Sequence, residues 1–295
     1  MLIRRLSEYE GTMELTGSGE VPLLQYKGLN EIPFIHHAFS TRLGGVSSGI
    51  YSSMNFKEDG LDANENIREN YRIVAHTMQV DVTKMVRSQL SHGTRVHEVE
   101  EQDFGVGVLA KSTLYDYDGL ITNKPGVTLA ATFADCVPLY FVDMKNHAVG
   151  LAHSGWRGTV NQIALSMLEA MKKAYGTKPG DLRVAVGPCI CSSCYEVGGE
   201  FYDYFAKNFS GSIERETGIF FDRILKPSET AGKYYLDLRL ANRMTFLKAG
   251  LREEQILVSD ICTCCNPELI FSHRFTKGKR GVSAAFLGLK ETAVL

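Results

Sequence analysis

Two residues able to do chemistry stand where apolar runs end in turns. Cys136 lies in Ala134-Asp-Cys-Val-Pro138, and His153 lies in Ala152-His-Ser-Gly-Trp-Arg-Gly158. Strand ends hold reactive groups rigidly while the adjoining loops open to solvent. Cys136 could therefore be a thiolate nucleophile with His153 as its base, or both could be ligands of a transition metal.

A metal site of this kind needs a third protein ligand, and His92 is the best choice because it also follows a short apolar run and precedes a glycine. Imidazole nitrogen and thiolate sulfur together suit Zn²⁺ or copper, and three protein ligands leave a fourth position for water or substrate. The three residues are far apart in sequence, so only the fold could bring them together. Asp135 beside Cys136 is a candidate proton carrier or orienting group, since a buried carboxylate needs a partner.

Two glycine-containing loops carry a cation each. Thr41-Arg-Leu-Gly-Gly-Val-Ser-Ser-Gly49 offers backbone N–H groups and the Arg42 guanidinium to an anion, or is an ordinary surface turn. Gly155-Trp-Arg-Gly-Thr159 opens a helix whose N-terminal N–H groups could hold phosphate beside Arg157, or is a plain helix start.

The elements that would position these residues form a mixed α/β pattern. Residues 1–20 are expected to be a flexible N-terminal arm, and no linker or repeat divides residues 21–295, which we expect to form one catalytic domain. Apolar periodicity predicts the following main segments: strands over 127–133, 137–142, 147–152, 269–272 and 281–287, and helices over 64–78 and 156–175.

Composition excludes several classes of protein. The formal net charge is −2 and the hydrophobic fraction is 44%, so no overall field favours nucleic acid or an anionic membrane. No secretory signal or stretch long enough to span a bilayer stands out. The sequence therefore predicts a cytoplasmic protein that binds neither nucleic acid nor membrane.

Six of the seven cysteines crowd into Cys189-x-Cys191-x-x-Cys194 and Cys262-x-Cys264-Cys265. These cysteines are better interpreted as reduced thiols or metal ligands than as disulfides. If Cys191, Cys194, Cys262 and Cys265 converge, they could form a second, structural zinc site, although Cys-x-x-Cys pairs also occur as plain turns. A thiol-based zinc-binding or redox-responsive protein without turnover stays a further hypothesis.

Several motifs occur together in one order. They are His37-Ala-Phe-Ser-Thr-Arg-Leu-Gly-Gly-Val-Ser47, Ala134-Asp-Cys-Val-Pro138, Ala152-His-Ser-Gly-Trp-Arg-Gly158, Gly187-Pro-Cys-Ile190 with Cys194-Tyr-Glu-Val197, and Phe271-Ser-His-Arg274. Over roughly residues 21–290 the sequence resembles the YfiH/YlmD-type family, also described as polyphenol oxidase or "laccase-domain" proteins and as purine nucleoside phosphorylases.

The resemblance implies that His92, Cys136 and His153 bind Zn²⁺ or Cu²⁺, and that Arg42 meets phosphate or substrate with Ser47 and Asn55 near it. It also implies a single-domain mixed α/β (α+β) fold, a β-sandwich flanked by helices and similar to cysteine-dependent deamidase toxin domains. Two positions depart from the family pattern. Leu90 stands where glutamine usually precedes the histidine, which leaves His97 as a competing ligand, and Phe275 replaces a second arginine after Arg274.

The activity that the resemblance implies is that of a metal-dependent purine nucleoside phosphorylase, acting on adenosine, inosine and by extension guanosine and methylthioadenosine, with adenosine deaminase activity. Such an enzyme is a transferase and a hydrolase whose partners are purine nucleosides and phosphate. The alternative is a copper-dependent, laccase-like polyphenol oxidase at the same His-Cys-His site.

Overall fold

A computed structural model of the chain describes residues 3–17, 19–58 and 60–291. Residues 1, 2 and 18 of the predicted arm, and 59 and 292–295 of the predicted domain, lie outside the described residues. The strands are Met13–Gly17 (β1), Pro22–Tyr26 (β2), Ile35–Ser40 (β3), Met85–Arg87 (β4), Val96–Glu98 (β5), Gly119–Thr122 (β6), Thr128–Phe133 (β7), Val137–Asp143 (β8), Ala148–Ser154 (β9), Leu182–Val186 (β10), Glu196–Gly198 (β11), Leu225–Pro227 (β12), Lys233–Leu236 (β13), Ile256–Val258 (β14) and Ser283–Leu289 (β15). The α-helices are Lys27–Asn30 (α1), Asn64–Met78 (α2), Trp156–Val160 (α3), Ile163–Tyr175 (α4), Glu200–Phe209 (α5), Ser212–Thr217 (α6), Phe221–Ile224 (α7), Leu238–Lys248 (α8) and His273–Thr276 (α9).

Most of the strands form two six-stranded mixed sheets. The first has the order β1-β2-β3-β15-β7-β4 and the second the order β14-β10-β8-β9-β6-β5. The pairs β4–β7, β5–β6 and β10–β14 are parallel, and the other pairs in these two sheets are antiparallel. A small third sheet has the order β11-β13-β12.

The two large sheets pack face to face because their strands are apolar on both sides. In β8, Tyr140 and Val142 face the first sheet, whereas Leu139 and Phe141 face the helices behind the second. Successive side chains of a strand point to opposite faces, so a strand covered on both sides must be apolar throughout. This explains why the central strands are continuous hydrophobic runs.

Helices cover the outer faces of the sandwich. The amphipathic helix α2 packs on the first sheet through Tyr71 and Val74, and α4 and α8 pack on the second through residues such as Met167 and Met244. The mixed α/β sandwich flanked by helices is thereby confirmed, while its likeness to deamidase toxins stays a prediction. Among the helices of the described residues, none is long and apolar enough to cross a membrane.

Three segments differ from the sequence predictions. The predicted helix over 156–175 is broken after Val160, because Gln162 takes a left-handed conformation with φ 58°. Residues 269–272 are buried loop rather than strand, and the Leu269 carbonyl accepts a hydrogen bond from the Arg42 N–H at 2.8 Å. Residues 13–17, placed in the predicted arm, form β1 and pair with β2.

Candidate metal and active site

Cys136 lies in the turn where the chain crosses from the first sheet to the second. It follows β7 and immediately precedes β8, and the preceding residue, Asp135, has a φ of 85°. A non-glycine residue in the left-handed region is uncommon, and aspartate adopts it more readily than most residues. The crossing turn therefore holds the half-buried Cys136 thiol at one end of the sandwich.

The structure brings the three predicted ligands together. His153, near the end of β9, is only 3% exposed, whereas His92, in the loop after β4, is exposed. One ligand atom from each of His92, Cys136 and His153 lies within 4.8 Å of the others. The competing ligand His97 is outside this group, and its Nε2 lies 2.8 Å from Asp103 Oδ2.

Asp118, which sequence reasoning missed, orients both histidines. Its Oδ1 lies 2.9 Å from His153 Nδ1 and accepts the His92 N–H at 3.0 Å, and its Oδ2 accepts the Gly93 N–H at 2.8 Å. The sequence shows only a turn with two aspartates before β6, and nothing in it distinguishes Asp118 from Asp116. One buried carboxylate thus fixes the His153 ring and the loop that carries His92.

Charges at the site favour a thiolate beside an imidazolium when no metal is bound. Burial by itself would raise the pKa of Cys136, but His153 and His92 outweigh it and bring that pKa down to about 6. Burial would lower the pKa of His153, but Cys136 and Asp118 raise it to about 9. Desolvation by itself would raise the pKa of Asp118. His153 and the backbone N–H groups outweigh that effect, so the pKa of Asp118 is below its usual value.

These residues fit a zinc or copper ion. Because His153 Nδ1 faces Asp118, its Nε2 is the nitrogen available to a metal, and such a carboxylate–histidine pair is a common support for metal ligands. Gly155 lies close against these side chains: a Cβ there would lie 3.1 Å from His92 Cδ2 and 3.2 Å from Cys136 Sγ. Two imidazoles and one thiolate, with His92 exposed to solvent, match a three-ligand zinc or copper site.

Asp135 is fixed by a neighbouring segment. One carboxylate oxygen accepts a hydrogen bond from the Thr263 hydroxyl and the other accepts one from the backbone N–H of Arg274, both at 2.6 Å. Asp135 is 8% exposed. Its contacts are those of a group that joins the Cys136 turn to residues 263–274.

The predicted anion loop is tied to other parts of the chain. The Arg42 guanidinium donates to the Ser52 and Pro267 carbonyls at 2.9–3.0 Å and lies 4.6 Å above the Phe271 ring. Ser47 and Asn55 are buried, and the Asn70 amide donates to Ser47 Oγ at 3.0 Å and to the Asn55 carbonyl at 2.8 Å. Ser47 and Asn55 thus belong to a polar network that supports the loop from inside.

Two exposed cations border the Cys136 side of the site. The Arg157 guanidinium stacks over Trp156 at 4.3 Å, and that of Arg274 lies 5.1 Å from the Tyr195 ring centre. Burial, with a smaller contribution from Cys136, raises the pKa of Tyr195 to about 12 against the opposing effects of Arg274 and Arg157. Tyr195 therefore interacts electrostatically with both cations and with the Cys136 thiol. The sequence predictions gave a site role to neither Tyr195 nor Arg274.

Comparison with known proteins places this geometry in a family. The model of the family described as "Multi-copper polyphenol oxidoreductase laccase" matches residues 36–290. The chain is 36% identical over 255 residues to the purine nucleoside phosphorylase YlmD of Bacillus subtilis (strain 168), covering 86% of this chain and 88% of that one. It is 31% identical over 242 residues to a protein named as an adenosine deaminase from an unknown prokaryotic organism, covering 80% and 87%.

A solved structure agrees. The crystal structure of YlmD from Geobacillus stearothermophilus superposes with a TM-score of 0.85 at 32% identity, covering 94% of this chain and 99% of that one. The chain therefore belongs to the multi-copper polyphenol oxidoreductase laccase family, the YfiH/YlmD-type family that its motifs resemble.

Proposed function

We propose that this protein is a metal-dependent purine nucleoside phosphorylase that also deaminates adenosine. The observation that carries the proposal is the convergence of His92, Cys136 and His153 around Asp118. Relatives over most of the chain are named purine nucleoside phosphorylase, and one is named adenosine deaminase. The substrates would be adenosine and inosine, and by extension guanosine or methylthioadenosine.

In phosphorolysis, a phosphate oxygen forms a bond to C1′ of the ribose while the C1′–N9 bond breaks. The bonding electron pair leaves on N9 of the purine, which takes up a proton. Catalysis of such a step depends mainly on positioning and on stabilising an oxocarbenium-like centre. The guanidinium groups of Arg157 and Arg274 are exposed and both influence Tyr195, as Cys136 does, so they are suited to hold the phosphate dianion beside the site.

Adenosine deamination at the same centre consumes water and releases ammonia, as oxygen bonds to C6 and the C6–N bond breaks. His92, Cys136 and His153 would hold a zinc ion, whose positive charge would lower the pKa of water at the site. Asp118 keeps the two imidazoles in position for that ion. Neither reaction transfers electrons, which suits zinc.

The remaining predicted site residues divide between positioning and binding. The two hydrogen bonds of Asp135 support an orienting role rather than a proton-carrying one. For Arg42, the contacts to Ser52 and Pro267 account for three of five N–H donors. We propose that Arg42 uses the rest toward substrate, and that Ser47 and Asn55 keep its loop in shape.

The direct test is to incubate the zinc-loaded protein with inosine or adenosine, with and without phosphate. We expect free base together with ribose 1-phosphate, dependent on phosphate, and inosine from adenosine without it. Cys136→Ala should abolish both, while Cys264→Ser, which removes a thiol outside the site, should leave both intact. Base release without ribose 1-phosphate, or turnover unaffected by removal of the metal, would overturn the proposal.

A copper-dependent polyphenol oxidase is the second candidate, favoured by the printed description of the family and by ligands that also suit copper. Among the described residues the other potential metal group is made of four cysteines and contains no histidine. Four-electron reduction of oxygen ordinarily uses several coppers, so we place this activity second. Phenol oxidation by copper-loaded protein that exceeds nucleoside turnover by zinc-loaded protein would reverse the order.

A further inference from the structure

Four cysteines that the proposed reaction does not use meet at one point. Cys191 and Cys194 lie after β10, and Cys262 and Cys265 lie after β14, in two Cys-x-x-Cys segments. The four sulfur atoms all lie within 4.8 Å of one another, with Cys194–Cys265 at 3.5 Å and Cys191–Cys265 at 3.9 Å. The cluster is thus formed by two loops that are remote in sequence, as in many structural zinc sites.

The sulfur separations suit a shared metal ion better than disulfides. A disulfide requires an S–S distance of about 2.05 Å, and all four cysteines are free. With Zn–S bonds of about 2.3 Å, the sulfurs of a tetrahedral site lie about 3.8 Å apart. A multi-iron cluster would need a wider cage, because additional metal and sulfide atoms stand between its ligands.

The surroundings favour negative charge on the sulfurs. Cys262 Sγ accepts two backbone N–H groups, from Cys191 at 3.2 Å and from Cys265 at 3.4 Å. The guanidinium of Arg239 is 1% exposed, donates to the Ile261 carbonyl at 2.8 Å, and has a buried Nε without a partner among the described residues. A buried cation is costly without nearby negative charge; Arg239 interacts with Cys189, Asp237, Cys262 and Cys191, and a tetrathiolate zinc site would add a net charge of −2.

We infer that Cys191, Cys194, Cys262 and Cys265 bind one Zn²⁺ ion in a closed, structural site. Four protein thiolates leave no position for substrate. The site ties together the two loops that hold the Cys136 turn, since Ile190 donates to the Asp135 carbonyl and Thr263 to its carboxylate. Its role is therefore to hold the Cys136 turn of the candidate active site in place, whatever reaction occurs there.

The test is zinc stoichiometry in a Cys136→Ala background, where the other thiolate-containing site is removed. After purification under reducing conditions with zinc and removal of free metal, we expect one zinc per chain. The added pair Cys191→Ser and Cys194→Ser should lose it, and the added control Cys264→Ser should keep it. In the Cys136→Ala protein, cobalt should give the intense visible bands of tetrahedral sulfur coordination.

A second measurement covers the case in which the double variant does not fold. Titration of the intact Cys136→Ala protein with an organomercurial should release zinc in step with thiol modification. This readout is independent of turnover, so its failure and that of the proposed function are distinguishable. Absence of zinc from the Cys136→Ala protein, zinc retained by a folded double variant, iron in its place, or an intact mass that shows disulfides would each overturn the inference.

Discussion

The carboxylate of Asp118 links two histidines that come from different parts of the chain. It is buried, and its two oxygens form hydrogen bonds with the His153 ring nitrogen and with the backbone N–H groups of His92 and Gly93. Groups that orient metal ligands in this way typically change metal affinity by 10- to 100-fold when they are replaced, on the order of 1–3 kcal/mol.

Asp118→Asn should therefore weaken zinc binding at the His-Cys-His site by about 10- to 100-fold, because an amide lacks the negative charge that supports His153. Competition with a chromophoric chelator measures the affinity. Asp116→Asn is the matched control, since Asp116 is exposed in the same turn. Equal affinities in the two variants would contradict the orienting role.

Cys136 should be reactive at unusually low pH in the metal-free protein. Its pKa is about 6 because His153 and His92 outweigh the effect of burial, so thiolate forms well below the usual range. Alkylation followed by peptide mass spectrometry should show a rate that rises with pH with a midpoint near 6, and zinc should suppress it. Cys189 is an internal control, because burial raises its pKa to about 12; a Cys136 midpoint near that of an ordinary thiol would refute the expectation.

At the scale of elements, the turn between β9 and α3 lies against the three candidate ligands His92, Cys136 and His153. Gly155 caps α3 with extended backbone, φ −72° and ψ 179°, that any residue can adopt. Glycine is needed there for space, because a Cβ would press on His92 and Cys136.

Gly155→Ala should reduce zinc affinity and nucleoside turnover by at least about tenfold, since a ligand shift of a few tenths of an ångström is costly at a preorganised site. Gly180→Ala is the control, because a Cβ at that position meets nothing within 4 Å. Metal content and thermal unfolding measured side by side separate a local effect from loss of fold. Full zinc affinity in Gly155→Ala would show that the ligands can move aside.

At the scale of the whole molecule, the interface between sheets contains a histidine that the fold keeps neutral. His37 in β3 is 2% exposed, and its Nε2 accepts the Tyr26 N–H at 2.8 Å. Burial, with a smaller contribution from His36, lowers the pKa of His37 to about 3.

The free energy of unfolding should therefore fall on acidification. Between pH 6.5 and about 3 the unfolded chain binds a proton on His37 that the folded chain does not, so stability decreases as pH falls, by up to about 1.4 kcal/mol per pH unit. His37→Gln should reduce this slope in urea unfolding measured across that range. His76 is exposed on α2, so His76→Gln should leave the slope unchanged. If His37→Gln also left the slope unchanged, His37 would not be neutral in the folded protein.

We propose that residues 21–295 form one catalytic domain. The two sheets share one apolar layer to which both ends of the range contribute, for example Leu24 and Leu287. Limited proteolysis that releases a stable part of this range would count against it.

The sequence by itself determined the central strands of the sandwich and the chemical types at its site. Runs such as 137–142 are apolar on both faces, which is a local property of the chain and predicts a doubly covered strand. The turns that end these runs contain Cys136 and His153, a third strand end contains His92, and the motif resemblance implied that the three bind one metal.

Only the tertiary structure decided which distant groups meet. Asp118, and not Asp116, contacts His153, because Asp118 directly precedes β6 and β6 pairs with β9. His92, and not His97, joins the site, and His97 contacts Asp103 instead. The same is true of the four cysteines and of the donors to Asp135. Local sequence encodes periodicity and turns, whereas strand register and loop packing depend on contacts between residues far apart in the chain, so these assignments required coordinates.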